Sequence, residues 1–487
     1  MANAMLQQIE PRAIWANFEA LNAVPRASKK EERVIQFMLD FGARLGLETI
    51  QDNVGNVIIR KPATSGMENR KTVVLQSHLD MVHQKNNDTE FDFDSEGIRM
   101  SVDGDWVRAE GTTLGADNGI GVAAIMAVLA SDHIVHPALE ALFTIDEETG
   151  MTGAKGLQGN FLKGEILLNL DTEEDTEIDI GCAGGVDVTA RRTYIPENVS
   201  EDMLFYTLTV KGLHGGHSGM EIHKGLGNAN KIMNRLLYTL LPLDIRLNSI
   251  DGGGLRNAIP RESVAVFAVD SVSKDLLLSV VEQESGAIKQ EFASVDELLD
   301  ITLEPSEKSS KTVLPIEVQK KLIQALYTAP NGVYRMSADF DNLVETSNNI
   351  AKVKVSGGKI TIKCLTRSSV ESSKVDLANA LKCCFELMDA EVSLSGDYPG
   401  WTPNPNSEIL EVLTATYSDL FQEEPHVVAC HAGLECGILG SHYPEMDMIS
   451  FGPTILGAHS PQERVSIASV QKFWGFLQEI LKRIPVR

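Results

Sequence analysis

Long apolar runs are missing from this sequence. No stretch approaches the roughly 20 consecutive apolar residues that a membrane-spanning helix needs, which excludes a helical membrane protein. The opening MANAMLQQIEPR lacks a basic start followed by an apolar run, so nothing there reads as a secretory signal, and the expected location is cytoplasmic. Cysteine is sparse. The six residues Cys182, Cys364, Cys383, Cys384, Cys430 and Cys436 form no CxxC pair and no disulfide-rich spacing, so they are expected to be reduced and mostly buried. Positive charge is in deficit, with 43 basic against 68 acidic residues and a net charge of -25. Such a surface repels phosphate backbones, which argues against a nucleic-acid partner and favours solubility. The Gly-rich segments GTTLGADNGIG and GLHGGHSG contain no GK[ST], so neither is a phosphate loop. At Ser218 a nucleophile elbow fails, because Met220 occupies the second glycine position.

What is present is a long chain of ordinary globular composition. Its 487 residues exceed what one core organises, so two domains are expected. Residues 10–46 carry helical periodicity twice, in AIWANFEALNAV and VIQFMLDFGARL. The Val-, Ile- and Leu-dense NVGNVIIRK, KTVVLQSHL, LEALFTID and EILLNLDT predict buried strands, with a helix over IGVAAIMAVLAS. After Gly184-Gly185 the character changes. Strands LFYTLTVKGL, SVAVFAVD, AKVKVSG, GKITIKCLT and AEVSLSG alternate with helices, and the acidic, Ser-rich segment 295–311 is read as a linker between two sets. From Tyr398 the first pattern resumes and closes on the helix within RVSIASVQKFWGFLQEILKRI. The expected fold class is α/β in two domains: a catalytic domain (1–185 and 398–487) interrupted by an inserted α/β lid (186–397).

Metal-ligand residue types sit at the ends of successive predicted strands. His78 and Asp80 end KTVVLQSHLD, Glu147 and Glu148 end ALFTIDEE, Asp171 ends ILLNLD, and Asp117 precedes a helix. Strand carboxyl ends in an open α/β sheet converge on one crevice, so separate segments deliver ligands to one place, with His459 in GAHS a further contributor. Two divalent ions about 3.5–4 Å apart demand several carboxylates, one of them bridging. Asp117, flanked by glycines and Asn118, is the candidate bridge. Of the pair Glu147 and Glu148, one side chain binds metal while the other takes a proton from water, their opposite directions following from an extended backbone. Asp80 is spaced to hold the ring of His78. Each feature alone has a plain structural explanation: a turn, a helix cap, a packed histidine. Their conjunction points to the metal centre.

The segments SHLDMV, GTTLGADNGIG, DEETGM, NLDTEE, GCAGG, KGLHGGHSGMEIH, LRNAIPRE, YPGW, HAGLECG, YPEMDMISFGPT and GAHSP together resemble the bacterial aminoacyl-histidine dipeptidases. These belong to the di-zinc superfamily of dipeptidases, aminoacylases and glutamate carboxypeptidases. The resemblance implies hydrolysis of dipeptides with free termini, including Xaa-His and carnosine-like substrates, by a water held between two divalent ions. Zinc is the expected metal, with cobalt or manganese compatible. It assigns His78, Asp171 and bridging Asp117 to one ion, and Glu148, His459 and the same Asp117 to the other. Glu147 matches the general base and Asp80 the residue orienting His78. His217 matches the histidine that stabilises the tetrahedral intermediate, Asn257 and Arg367 the residues holding substrate, and Gly433 a backbone position lining the pocket. A homodimer is also implied. An N-acyl amino acid deacylase or exopeptidase of the same superfamily, and a non-catalytic binding protein on this fold, are the competing expectations.

Overall fold

A central sheet of eight strands organises the first of two compact units, which comprises Met1–Gly181, Trp401–Ala429 and Leu434–Arg487. The computed structural model describes residues 6, 8–306, 312–340 and 342–487. In the middle of this sheet Leu139–Thr144, Val73–His78, Ile166–Asn169 and Asp447–Ser450 lie side by side and parallel. The first three are buried at every position, which explains why Val, Leu, Ile, Ala and Phe dominate them: both faces are covered. Helix Ala116–Ala130 is apolar on nearly all sides and almost wholly buried, as a helix without a polar face must be. It packs on Arg12–Asn22 and on the strand Val73–His78. A bulkier residue at Gly121 has no room there: a Cβ would lie 2.5 Å from Ser77 Oγ and 2.7 Å from the Leu170 carbonyl.

The second unit, Cys182–Gly400 with Cys430–Gly433, is built on one antiparallel nine-stranded sheet. Helices Ala229–Thr239, Lys274–Glu291, Ile316–Thr328 and Glu371–Glu386 contribute to its large apolar core. The two predicted sets of strands are therefore one sheet. Of the predicted linker, Asp300–Pro305 is a strand paired with Met203–Lys211, and residues 307–311 lie outside the described residues. The physical reason is alternation: Ile301 and Leu303 face the core while the charged neighbours face out. None of the six cysteines forms a disulfide among the described residues; Cys182, Cys364 and Cys436 are buried and Cys383 is exposed, so the expectation of burial holds for half of them. No helix among the described residues is long and apolar enough to cross a membrane.

Candidate metal centre

Three adjacent parallel strands ending on the same side of one sheet carry His78, the Glu147–Glu148 segment and Asp171 to one spot. His78 is the last residue of its strand and 1% exposed. Its Nδ1 faces Asp80, 3.1 Å from the backbone carbonyl oxygen and 3.4 Å from Oδ1. Its Nε2 lies 3.1 Å from Asp117 Oδ1 and 3.5 Å from Asp171 Oδ1. Asp80 does more than face the ring. Its carboxylate accepts the backbone N–H of Glu147 (3.0 Å) and of Glu148 (3.3 Å) and the hydroxyl of Ser28 (2.7 Å). One buried carboxylate thus ties the histidine to the segment bearing both glutamates.

That segment is a turn rather than the extended stretch expected from the sequence. Asp146 adopts φ 53, and its carbonyl accepts the N–H of Met151 at 2.6 Å. The Asp146 carboxylate, accepting from Thr149 and Thr152, stabilises the reversal. The different directions of Glu147 and Glu148 come from this turn, not from strand alternation.

Asp117 enters from the start of helix Ala116–Ala130, after Gly115 at φ 70. Its second oxygen, Oδ2, lies 3.1 Å from His459 Nε2, and the same nitrogen is 2.9 Å from Glu148 Oε2. Two ligand triads share Asp117, His78–Asp117–Asp171 and Asp117–Glu148–His459, each with ligand atoms within 4.8 Å of one another, and His78, Glu147 and Glu148 form a third group at the same spot. Asp117 belongs to both, one oxygen turned to each imidazole. Asn118 supports the arrangement by donating to the Leu170 carbonyl at 2.7 Å and to the Asp171 carboxylate.

The donor set is short of positive charge. Among the described residues no lysine or arginine is in ion-pair distance of Asp117, Glu147, Glu148 or Asp171. Burial pushes the Asp171 carboxyl up to about 6. Burial, then the charges of Asp171, Glu435 and Glu148, hold Glu147 well above the usual carboxylate range. Burial also acts to raise Asp117, but hydrogen bonds from His459 and His78 outweigh it and hold that carboxyl well below its ordinary value. Hydrogen bonds to Asp117 and Glu148 lift His459 to about 11. Glu148 Oε1 is buried without a hydrogen-bond partner. Mixed oxygen and imidazole donors, an orphaned carboxylate oxygen and uncompensated negative charge fit two divalent cations.

Two further residues support the site and were not found from the sequence. Glu463, 2% exposed, accepts the backbone N–H groups of Leu114 (2.7 Å), Gly115 (3.0 Å), Ala116 (2.7 Å) and Asp117 (3.3 Å). It satisfies the orphan donors of the helix start and holds the Asp117 backbone. Arg26, 1% exposed, donates to the carbonyl oxygens of Leu79 (3.0 Å), Asp80 (3.1 Å) and Gly115 (2.5 Å). Nearness in sequence to His459 is the sole hint for Glu463; Arg26 has none.

The other residues singled out from the sequence gather within the second unit. His217 pairs with Ala258 in a short ladder, and the Ser218 N–H donates to the Asn257 carbonyl at 2.8 Å, which sets those two segments side by side. His217 Nδ1 accepts N–H groups from Gly219 (3.3 Å) and Met220 (3.1 Å), leaving Nε2 as the protonated nitrogen. Arg367 is 5% exposed, donates to the Tyr398 hydroxyl at 2.9 Å, and has a buried Nε without a partner. It stands opposite Ser347, whose hydroxyl lies 2.8 Å from His431 Nε2. A Cβ on Gly219 would fall 2.1 Å from the His431 carbonyl oxygen, so the segment ending at Gly433 runs against the His217 loop.

Comparison with known proteins identifies the family of the chain. Residues 74–483 match the model of peptidase family M20/M25/M40. The chain is 46% identical over 483 residues to the cytosol non-specific dipeptidase of Escherichia coli (strain K12), covering 99% of each chain. The crystal structure of aminoacylhistidine dipeptidase from Vibrio alginolyticus superposes with a TM-score of 0.95 at 43% identity, over 99% of this chain and 98% of that one. Aminopeptidase PepT from Bacillus cereus shares the fold, with a TM-score of 0.57 at 16% identity over 98% and 99% of the two chains. The chain is a member of peptidase family M20/M25/M40.

Proposed function

We propose that this protein is a dinuclear metallo-dipeptidase that hydrolyses dipeptides with free termini, Xaa-His and carnosine-like substrates among them. The carrying observation is Asp117, whose two carboxylate oxygens face two different imidazoles at 3.1 Å each. His78 and Asp171 would hold one ion, Glu148 and His459 the other, and Asp117 both; zinc suits this donor set, and cobalt or manganese is compatible with it. When bound, the ions acidify a water molecule and polarise the scissile carbonyl. Glu147, which is not in either triad that contains Asp117, takes the proton from the attacking water and returns it to the leaving amine. Asp80 fixes both His78 and the turn that carries this base.

His217, with Nε2 protonated, is suited to donate to a developing oxyanion. Arg367, buried and without a carboxylate in ion-pair distance among the described residues, is suited to a substrate carboxylate, with Asn257 and Gly433 as further contacts. Support for the substrate class comes from the names of the Escherichia coli and Vibrio relatives, and the first of these also supports a cytosolic location. A homodimer completes the reading.

The test is one assay. Chelated protein is incubated with Zn2+, Co2+ or Mn2+ and offered Xaa-His dipeptides, carnosine and N-acetyl amino acids. Metal-dependent cleavage of the dipeptides is expected; cleavage confined to the N-acetyl compounds would make the protein a deacylase, and activity untouched by chelation would remove the metal mechanism.

A further inference from the structure

Glu435 opens helix Glu435–His442 within HAGLECG and has no role in the chemistry described above. It is 0% exposed. Its Oε2 accepts from Gln76 Nε2 at 2.7 Å and from Thr144 Oγ1 at 2.5 Å, and Gln76 Nε2 also lies 3.1 Å from Thr144 Oγ1. The amide oxygen of Gln76 in turn accepts from Asn169 at 2.5 Å, and Asn169 accepts from Ser450. Gln76, Thr144 and Asn169 are each 0% exposed, in buried strands rich in apolar side chains.

Buried amides and hydroxyls in the middle of a parallel sheet are costly unless each finds a partner. These three occur where the reaction needs precision. Gln76 is two residues before His78, Asn169 two before Asp171, and Thr144 three before Glu147. Glu435 is the acceptor on which two of the three strands converge. Its second oxygen, Oε1, is buried without a partner.

We propose that Glu435 is a positioning residue of the hydrolytic site, pinning Gln76 and Thr144 and, through them, the strand ends that carry His78 and the Glu147–Glu148 turn. The inference rests on the metal-dependent reading above. An isolated structural acid would stabilise the fold without selecting these two donors; an acceptor shared by both strands sets their relative height at the site, and small displacements there are expensive in rate.

The test compares Glu435→Ala and Glu435→Gln in the metal-loaded protein by kcat and KM on a dipeptide and by the visible spectrum of the Co2+-loaded form. Glu435→Ala is expected to lower kcat about 10- to 100-fold, the range for residues that orient metal ligands, with KM little changed and the Co2+ bands shifted. Glu435→Gln keeps an oxygen acceptor and should restore most of both. A folded Glu435→Ala protein with wild-type kcat and spectrum overturns the role, as does a Glu435→Gln variant no better than Glu435→Ala. If Glu435→Ala does not fold, Thr144→Val decides: a kcat loss with KM held supports the role, and unchanged kcat overturns it. A wild-type protein inert towards dipeptides would refute the proposed activity alone, since the Co2+ spectra still report on Glu435.

Discussion

At the residue scale the chemistry turns on which carboxyl groups are spoken for. Asp80 is satisfied by Ser28 and two backbone N–H groups, whereas Glu147 is buried among other acids. Glu147→Gln is therefore expected to keep its metal ions and lose turnover by about 100- to 10,000-fold, the usual share of a general base; elemental analysis beside kcat checks both halves. A second prediction concerns acid stability. Burial, then the positive charges of Arg367, His217 and His223, push His431 down to about 3. Unfolded, a histidine titrates near about 6.5, so below that pH the unfolded chain binds the extra proton and the folded one does not. The contribution of His431 is fully present above the unfolded value and is lost as pH falls towards 3. His431→Asn should flatten the fall in Tm between neutral and acidic pH; an unaltered slope would refute this. Among the candidate ligands, His78, Glu148 and Asp171 were legible in the sequence because each ends or follows a strongly apolar strand, and Asp117 because it opens an apolar helix. Glu463 and Arg26 were not, since their work is done on backbone atoms, which any sequence supplies.

Elements matter here for where they stop. The ends of Val73–His78, Leu139–Thr144 and Ile166–Asn169 are in register across the sheet, Gln76 opposite Asn169 and Thr144 opposite His78. Helix Ala116–Ala130 sets the fourth contribution, and its start depends on Glu463. Glu463→Ala should strand up to four buried N–H groups; at about 1–3 kcal/mol for each buried group left unsatisfied, a large loss of stability and weaker metal binding are expected. Chemical denaturation with a metal titration would expose either effect. Gly121→Ala should also destabilise, through the 2.7 Å approach to the Leu170 carbonyl. Of the first sheet, Glu48–Gln51, Glu177–Cys182 and His426–Cys430 went unread, whereas Val57–Lys61, Val73–His78, Leu139–Thr144 and Ile166–Asn169 were readable from composition alone. Gly184–Thr193 was not, although it lies inside the second sheet between Lys359–Ser368 and Glu391–Tyr398, because Asp187, Arg191 and Arg192 break its apolar pattern. The strand Asp300–Pro305 was hidden by the acidic residues that flank it.

On the scale of the whole molecule, negative charge prevails: -25 overall, with acids concentrated at the metal centre. Cations bound there stabilise the folded form by mass action. Chelation should lower Tm and abolish peptide cleavage together, and both should return on adding Zn2+; a melting curve indifferent to chelator would contradict the centre. The order of the site along the chain has a further consequence. His78, Asp117, Glu148 and Asp171 all lie in the first 171 residues, while His459 and Glu463 come hundreds of residues later. During synthesis the early acids emerge from the ribosome long before the imidazole and the clamp that complete them. A polypeptide cut ahead of residue 459 keeps only one of the two triads that share Asp117, so such a truncated copy is expected to be inert towards dipeptides even where its first unit folds.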